Sequence, residues 1–462
     1  MGAGKSTLGP ELASRLGRPF VSVDALVEEE AGESVRAIFA ERGEDAFREL
    51  EENAAMGALG RSEPAVIELG GGAPASGRIR EALADAAFAL LLETAPDEAW
   101  DRVAGSGRPL ASDPERFRTL FGERSALYEA VADGRARDVD GAVLAAAGVH
   151  VGAGALDRLG ALVPGAASAE LVADEVVDGL HGARSRAALG ARLTATHRVP
   201  AGEPATRLVE AERLWSALRL GRDGVLVALG GGATTDLAGL VAATYLRGVD
   251  WVPVPTTLVG QVDAAIGGKA AIDLAEGKNL VGAFHWPARV VVDPELLETL
   301  PGTALDAGLV EVVKTSLLSG DRLWELPRAQ QVRRCAAFKA AVCLRDPLDR
   351  AERAQLNLGH TFAHALEAAS GYTLSHGRAV ALGLVAALRL SGLGELARDV
   401  EDVLRPEPAR VDAEVAWRAL LRDKKAADGR PRLVLLDAPG SPCTDVYAEP
   451  DDVRAALDSL IA

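Results

Sequence analysis

The chain is short of cysteine, of lysine, of long apolar runs and of positive charge, and each shortage excludes something. Its 462 residues include three cysteines, Cys335, Cys343 and Cys443, with no C-x-x-C pair. A disulfide framework and a thiolate zinc finger are therefore unsupported. The longest apolar stretches, around 143–156 and 379–388, fall short of the roughly 20 residues that span a bilayer. Met1 leads straight into a phosphate-loop pattern rather than a secretory signal, so the cytoplasm is the expected compartment. Acidic residues outnumber basic ones 67 to 50, a net charge of −17. A general nucleic-acid binder needs the opposite balance, although local basic pockets for small anions stay open. No internal repeat or low-complexity tail is present. The 48% hydrophobic and 25% charged residues are ordinary for a soluble globular protein. The length suggests about three domains at roughly 150 residues each.

The lysine shortage is the sharpest of these. Of 50 basic residues only seven are lysine: Lys5, Lys269, Lys278, Lys314, Lys339, Lys424 and Lys425. Surface positive charge tolerates drift to arginine, whereas a site that needs a compact ammonium of tunable pKa does not. The remaining lysines are therefore candidates for chemistry. Asparagine is also rare, at Asn53, Asn279 and Asn357.

The fold class expected is α/β. Residues 1–145 alternate helix and strand: a helix over 6–16, a strand over 19–23, a helix over 33–59, and strands over 65–69 and 88–92. This is the rhythm of a parallel sheet. An Ala/Gly-rich boundary follows near 144–155. Strand–helix alternation returns over 146–301, with strands at 169–172, 224–229, 251–254 and 290–292. Helical periodicity dominates over 304–397 and again over 411–422, and an all-α domain is expected over 302–462.

The first chemical pattern is Gly2-Ala3-Gly4-Lys5-Ser6-Thr7. Glycines let backbone amides approach phosphate, lysine reaches the outer phosphates, and Ser6 is placed to hold Mg²⁺. Asp24, Arg48 and Glu51 follow, then Gly70-Gly71-Gly72, Arg108-Pro109-Leu110 and Arg124-x-x-Leu127-Tyr128. This ordered set resembles shikimate kinase, a P-loop kinase fold. The resemblance implies ATP and Mg²⁺ at Gly2, Gly4, Lys5, Ser6 and Thr7, with Arg102 near the nucleotide and Arg108 on a lid. It implies shikimate bound by Asp24, Arg48, Gly71, Gly72 and Arg124, Asp24 activating the hydroxyl. Phosphoryl transfer is mostly positioning and charge neutralisation, which suits such an inventory. The family's aspartate two residues before Asp24, which helps organise Mg²⁺, is here Ser22. The loop's first glycine and its feeding strand would precede Met1, so an upstream start or an impaired kinase is expected.

The second pattern starts at 227–236, Val-Ala-Leu-Gly-Gly-Gly-Ala-Thr-Thr-Asp, a strand running into glycines that suit a pyrophosphate. His360 and His364 are four apart, one helical face, and His376 follows; Glu311 lies upstream with Lys314 one turn on. Two imidazoles and a carboxylate make a catalytic Zn²⁺ site, though spacing alone leaves open which histidines bind. With Gly267-Gly268-Lys269 and Gly277-Lys278-Asn279, these motifs resemble 3-dehydroquinate synthase from about Val149 onward. The resemblance implies metal (Zn²⁺ or Co²⁺) on Glu311, His360 and His376. It implies NAD⁺ held by Asp174, Glu203, Gly231, Gly232, Asp236, Thr256 and Thr257, with Lys278 nearby. Catalytic or substrate contacts would come from Asp263, Lys269, Asn279, Lys314, Lys339, Arg353, Asn357, His364 and Lys424. Arg247 would reach a partner subunit's site, in a homodimer formed through this half. The family's Lys after Glu203 is here Thr206, and its His-Gly-Glu is His376-Gly377-Arg378, which is expected to bring a cation near the metal.

The expectation is thus a fusion acting on small molecules: 3-deoxy-D-arabino-heptulosonate 7-phosphate, shikimate and ATP. Neither nucleic acid nor membrane is an expected partner. The alternatives are a synthase carrying a non-catalytic kinase relic, and a related sugar-phosphate cyclase or metal-dependent alcohol dehydrogenase.

Overall fold

A computed structural model describes residues 2–104, 113–165, 168–421 and 431–462. The chain divides into two compact units, residues 1–147 and 148–462. No helix among the described residues is long and apolar enough to cross a membrane.

The first unit is a parallel α/β arrangement. Strand β1 (Phe20–Ser22) pairs in parallel with β2 (Val66–Glu68), and β3 (Leu90–Leu92) with β4 (Gly134–Ala136). The phosphate-loop helix, Lys5–Arg15, starts at Gly4, whose φ of 86° is left-handed and natural only to glycine. The first strand is shorter than the sequence suggests: it ends at Ser22, whose hydroxyl caps the helix Val23–Ala31. The helix expected over 33–59 is two helices, Val35–Glu41 and Gly43–Leu59, because Gly43 takes φ 84° at the joint. The longer one buries Phe47, Glu51, Ala54, Ala55, Ala58 and Leu59 along one face, against Val23, Val27, Ile38, Ile79 and Leu83.

The second unit opens with β5 (Val149–Val151) and then builds a four-stranded parallel sheet. Its strands are β6 (Ala169–Asp174), β7 (Leu193–Val199), β8 (Val225–Gly230) and β9 (Asp250–Pro255), in the order β7-β6-β8-β9. β6 and β8 are buried along their whole length, which is why they read as near-continuous apolar runs. An antiparallel hairpin, β10 (Lys269–Leu274) and β11 (Gly277–Phe284), follows, and β12 (Val290–Val292) returns to pair with β5. Beyond Pro301 helices dominate. They share one core, centred on Phe362, Leu366 and the helix His376–Leu390. That region is not purely helical: β13 (Arg432–Ala438) and β14 (Ser441–Tyr447) form a hairpin that helical periodicity does not foreshadow. Its buried residues Leu433, Leu435 and Leu436 complete the helical core.

Candidate active sites

In the second unit three helices converge. Gly302–Ser319 carries Glu311 and Lys314; His360–Ala369 and His376–Leu390 each begin on a histidine. The last two touch backbone to backbone, since a Cβ on Gly383 would lie 2.1 Å from the Gly359 carbonyl oxygen. Glu311, His360 and His376 consequently each offer a ligand atom, all within 4.8 Å of one another. Glu311 is 2% exposed. Its Oε2 is in ion-pair contact with Lys314 yet accepts no hydrogen bond. Burial, aided by Lys314 and the neighbouring histidines, holds His360 well below the ordinary imidazole pKa, so the ring stays neutral: Nδ1 donates to the Leu358 carbonyl at 3.2 Å and Nε2 keeps its lone pair for a metal. Burial also opposes charge on His376, but Glu367 and Glu311 outweigh it and raise its pKa. A buried, under-bonded carboxylate oxygen beside two imidazoles fits a Zn²⁺ or Co²⁺ ion.

Lys314 is the cation in direct contact with Glu311 among the described residues. Lys314 donates to Asp263 Oδ2 at 3.1 Å, and Lys339 donates to the Asp263 backbone carbonyl at 2.6 Å as well as pairing with its carboxylate. Arg353, 2% exposed, donates to the Gly267 carbonyl at 2.9 Å. Lys269 pairs with Asp349. Asn357 and His364 line one pocket with His360, Thr361, Arg432 and Asp445. Asn279 holds a left-handed φ of 56° and donates its N–H to Asp273.

The predicted dinucleotide residues collect at the carboxyl ends of the parallel strands, where such sheets bind ligands. Asp174 ends β6 and caps the amides of Val176 and Val177. Gly230 ends β8; the helix Gly232–Thr244 starts from Gly231, with bare N-terminal amides. Thr256, just past β9, donates to the Gly230 carbonyl, and a Cβ on Gly231 would press Thr257 at 3.0 Å. Burial pushes Asp236 up to about 8. Glu203 pairs with Lys278 at 3.0 Å, and Lys278 lies over the Tyr372 ring. Thr206 is bound to Asp273 at 2.6 Å. Arg378 corrects the expectation of a cation at the metal: its guanidinium is committed to the Glu407 carboxylate and the carbonyls of Glu407 and Pro408. Arg247 is exposed and lies with Leu246 in the left-handed region, φ 70° and 52°. Arg108 and Lys424 lie outside the described residues.

In the first unit, Gly2 accepts a hydrogen bond from Arg102 at 3.1 Å, and Thr7 donates its N–H to the Gly4 carbonyl. Ser6 donates to Glu68 at 2.7 Å. Arg48 pairs with Glu51 at 2.6 Å and with Glu44; Glu51 is buried, so this is no surface pair. Burial raises the Glu51 pKa against the pull of Arg48. A Cβ on Gly72 would strike the Arg48 guanidinium, and the Gly71 carbonyl accepts from Tyr128 at 2.6 Å. The charges of Asp24 and Arg124 also act on Glu51. Asp24, Arg48, Gly71, Gly72 and Arg124 thus share one neighbourhood.

Comparison with known proteins fits both centres. Residues 1–144 match the shikimate kinase family model, 196–307 that of the 3-dehydroquinate synthase N-terminal domain, and 308–426 that of its C-terminal domain. The 3-dehydroquinate synthase of Symbiobacterium thermophilum is 41% identical, over 68% of this chain and 97% of its own. The chain belongs to the 3-dehydroquinate synthase family, with a shikimate kinase domain ahead of it. The Bordetella pertussis 3-dehydroquinate synthase is 40% identical over 67% of this chain and 95% of its own. Among solved structures, 2-epi-5-epi-valiolone synthase from Streptomyces hygroscopicus, with NAD⁺ and Zn²⁺ bound, covers 68% of this chain and 96% of its own, at 25% identity and TM-score 0.61.

Two features of the synthase unit escape sequence reasoning. Glu367 lies 3.4 Å from His376 Nδ1 and is buried. Its place seven residues after His360, on the same helical face, is the signal that could have found it. Arg432 and Asp445 come from the β13–β14 hairpin and carry no local signature. Glu367→Gln should weaken metal binding about 10- to 100-fold in chelator competition, because a ligand histidine loses its orienting carboxylate. Gly383→Ala should also release metal, since the added methyl forces the His360 and His376 helices apart.

Proposed function

We propose that the synthase unit converts 3-deoxy-D-arabino-heptulosonate 7-phosphate to 3-dehydroquinate, using NAD⁺ and a divalent Zn²⁺ or Co²⁺. The kinase unit, in the same reading, transfers phosphoryl from ATP to the 3-hydroxyl of shikimate with Mg²⁺. The domains are taken as 1–145, 146–301 and 302–462, and the compartment as the cytoplasm. The observation that carries the synthase reading is a three-ligand metal cradle set against a buried Asp263–Lys314–Lys339 cluster.

Glu311, His360 and His376 would hold the metal; Asp174, Gly231, Gly232, Asp236, Thr256 and Thr257 would hold the dinucleotide. When bound, the NAD⁺ accepts and returns a hydride and the metal polarises substrate oxygens. Lys269, Lys339, Arg353 and Asn279 bind the carboxylate and phosphate of a multiply charged substrate within an acidic protein. An uncharged alcohol substrate would have no use for these cations. His364, in the pocket beside His360, moves the substrate proton, while Asn357 orients the substrate. Asp263 fixes the Lys314 and Lys339 ammonium groups in place. In the kinase unit Lys5 and the loop amides bind the phosphates. Arg48 and Arg124 clamp the shikimate carboxylate, and Asp24 takes the hydroxyl proton. The synthase units form a homodimer in which the exposed Arg247, held in a costly left-handed pair with Leu246, completes the partner's site.

His360→Ala should abolish metal retention and synthase turnover together; full activity in that variant sinks the metal assignment. Burial keeps Asp236 protonated near neutral pH, so no negative charge opposes the pyrophosphate. NAD⁺ affinity should therefore fall as pH rises through about 8, and Asp236→Asn should flatten that profile in titration calorimetry. Mixing Arg247→Ala with His360→Ala chains should restore synthase activity that neither has alone, since one site of each hybrid is intact. Shikimate-dependent ADP release tests the kinase; Asp24→Asn should cut it by about 10²- to 10⁴-fold. Nucleotide binding without such release would make residues 1–145 a relic.

A further inference from the structure

A phosphate-loop enzyme holds the Mg²⁺ of its nucleotide with the loop's Ser or Thr and an acidic residue from a nearby strand end. Mg²⁺ keeps most of its water and needs only one or two such protein groups. In the kinase unit the strand-end position two residues before Asp24 is Ser22, and that hydroxyl is engaged as a helix cap, accepting from the Ala25 amide. Directly across the parallel pair, in register with Ser22, stands Glu68. Ser6 Oγ, the loop hydroxyl, donates to Glu68 Oε1 at 2.7 Å.

Asp24 and Glu68 have different surroundings in the kinase unit. Asp24 lies in the first turn of Val23–Ala31, and its Oδ1 faces Gly70 beside buried Glu51, the partner of Arg48. Glu68 is tied instead to the phosphate loop. A serine hydroxyl has one proton and two lone pairs. Donating its O–H to Glu68 leaves the Ser6 oxygen's lone pairs free to face a cation and makes that oxygen more electron-rich. The residues therefore fit Mg²⁺ without a carboxylate at position 22.

We propose that Glu68 supplies the Mg²⁺-organising carboxylate of the kinase unit, displaced by one strand from the position of Ser22, and acts with Ser6. The inference rests on the kinase reading. The role is positioning: Glu68 orders the metal, while Asp24 handles the shikimate hydroxyl.

The test is titration calorimetry of ADP on the full chain, with and without Mg²⁺. Wild type should bind ADP more tightly with Mg²⁺. Glu68→Gln should lose at least tenfold of that gain, yet bind Mg²⁺-free ADP no more weakly, because a negative charge beside the phosphates is gone. Adding Ser22→Asp to Glu68→Gln should restore part of the gain, which a merely structural role for Glu68 would not allow. Full retention of the Mg²⁺ effect in Glu68→Gln overturns the inference, as does wild type that binds ADP equally with and without Mg²⁺. Wild type that binds no ADP at all overturns the kinase reading and the inference with it. Should Glu68→Gln fail to fold by circular dichroism, Glu68→Ser replaces it; an unchanged Mg²⁺ response there also overturns the proposal.

Discussion

A carboxylate buried where water cannot reach it governs the synthase unit. Glu311 sits inside a three-helix junction, and an ion so placed is costly unless opposite charge and donors surround it. Lys314 on the same helix supplies part of that compensation, and a divalent ion held by Glu311, His360 and His376, as proposed above, would supply the rest. Lys314 in turn needs Asp263, and Asp263 needs Lys339, so the burial of one group recruits a chain of alternating charges. A chain of this kind fixes side chains that would otherwise wander.

The packing of small residues makes that junction possible. The Gly359–Gly383 approach is a backbone contact that any side chain would wedge open, and Gly377 similarly lies against the backbone of Ala307 on the Glu311 helix. Precision at the metal is therefore a property of helix spacing, not of the ligands alone. The kinase unit works differently. There Arg48 is shared between Glu44 and the buried Glu51 of its own helix.

Much of this was legible in residue order. Alternating apolar runs and glycine turns identify the strands that became β6, β8, β9 and β12, because strands buried on both faces leave few polar interruptions. The retained lysines pointed to chemistry because an arginine-rich chain has little other reason to keep them. What misled was local: periodicity carried a helix through Gly43, whose left-handed φ breaks it, and the all-α expectation was extended past the last helical stretch, 411–422, over a short hairpin. Arg378 misled because adjacency in sequence to His376 says nothing of where a long side chain turns, and its partners sit about thirty residues further on.

The sequence by itself determined which chemical groups the protein carries, the glycine-framed loops that present backbone amides to phosphate, and the βαβ rhythm, because these depend on side-chain identity and short-range geometry. Only the tertiary structure decided which groups meet. It brought Glu311, His360 and His376 into one cradle across three helices, set Glu367 behind His376, turned Arg378 toward Glu407, and laid Glu68 against Ser6. Those meetings depend on helix–helix approach and strand register, which are set by the collective packing of residues far apart in the chain and not by any local pattern.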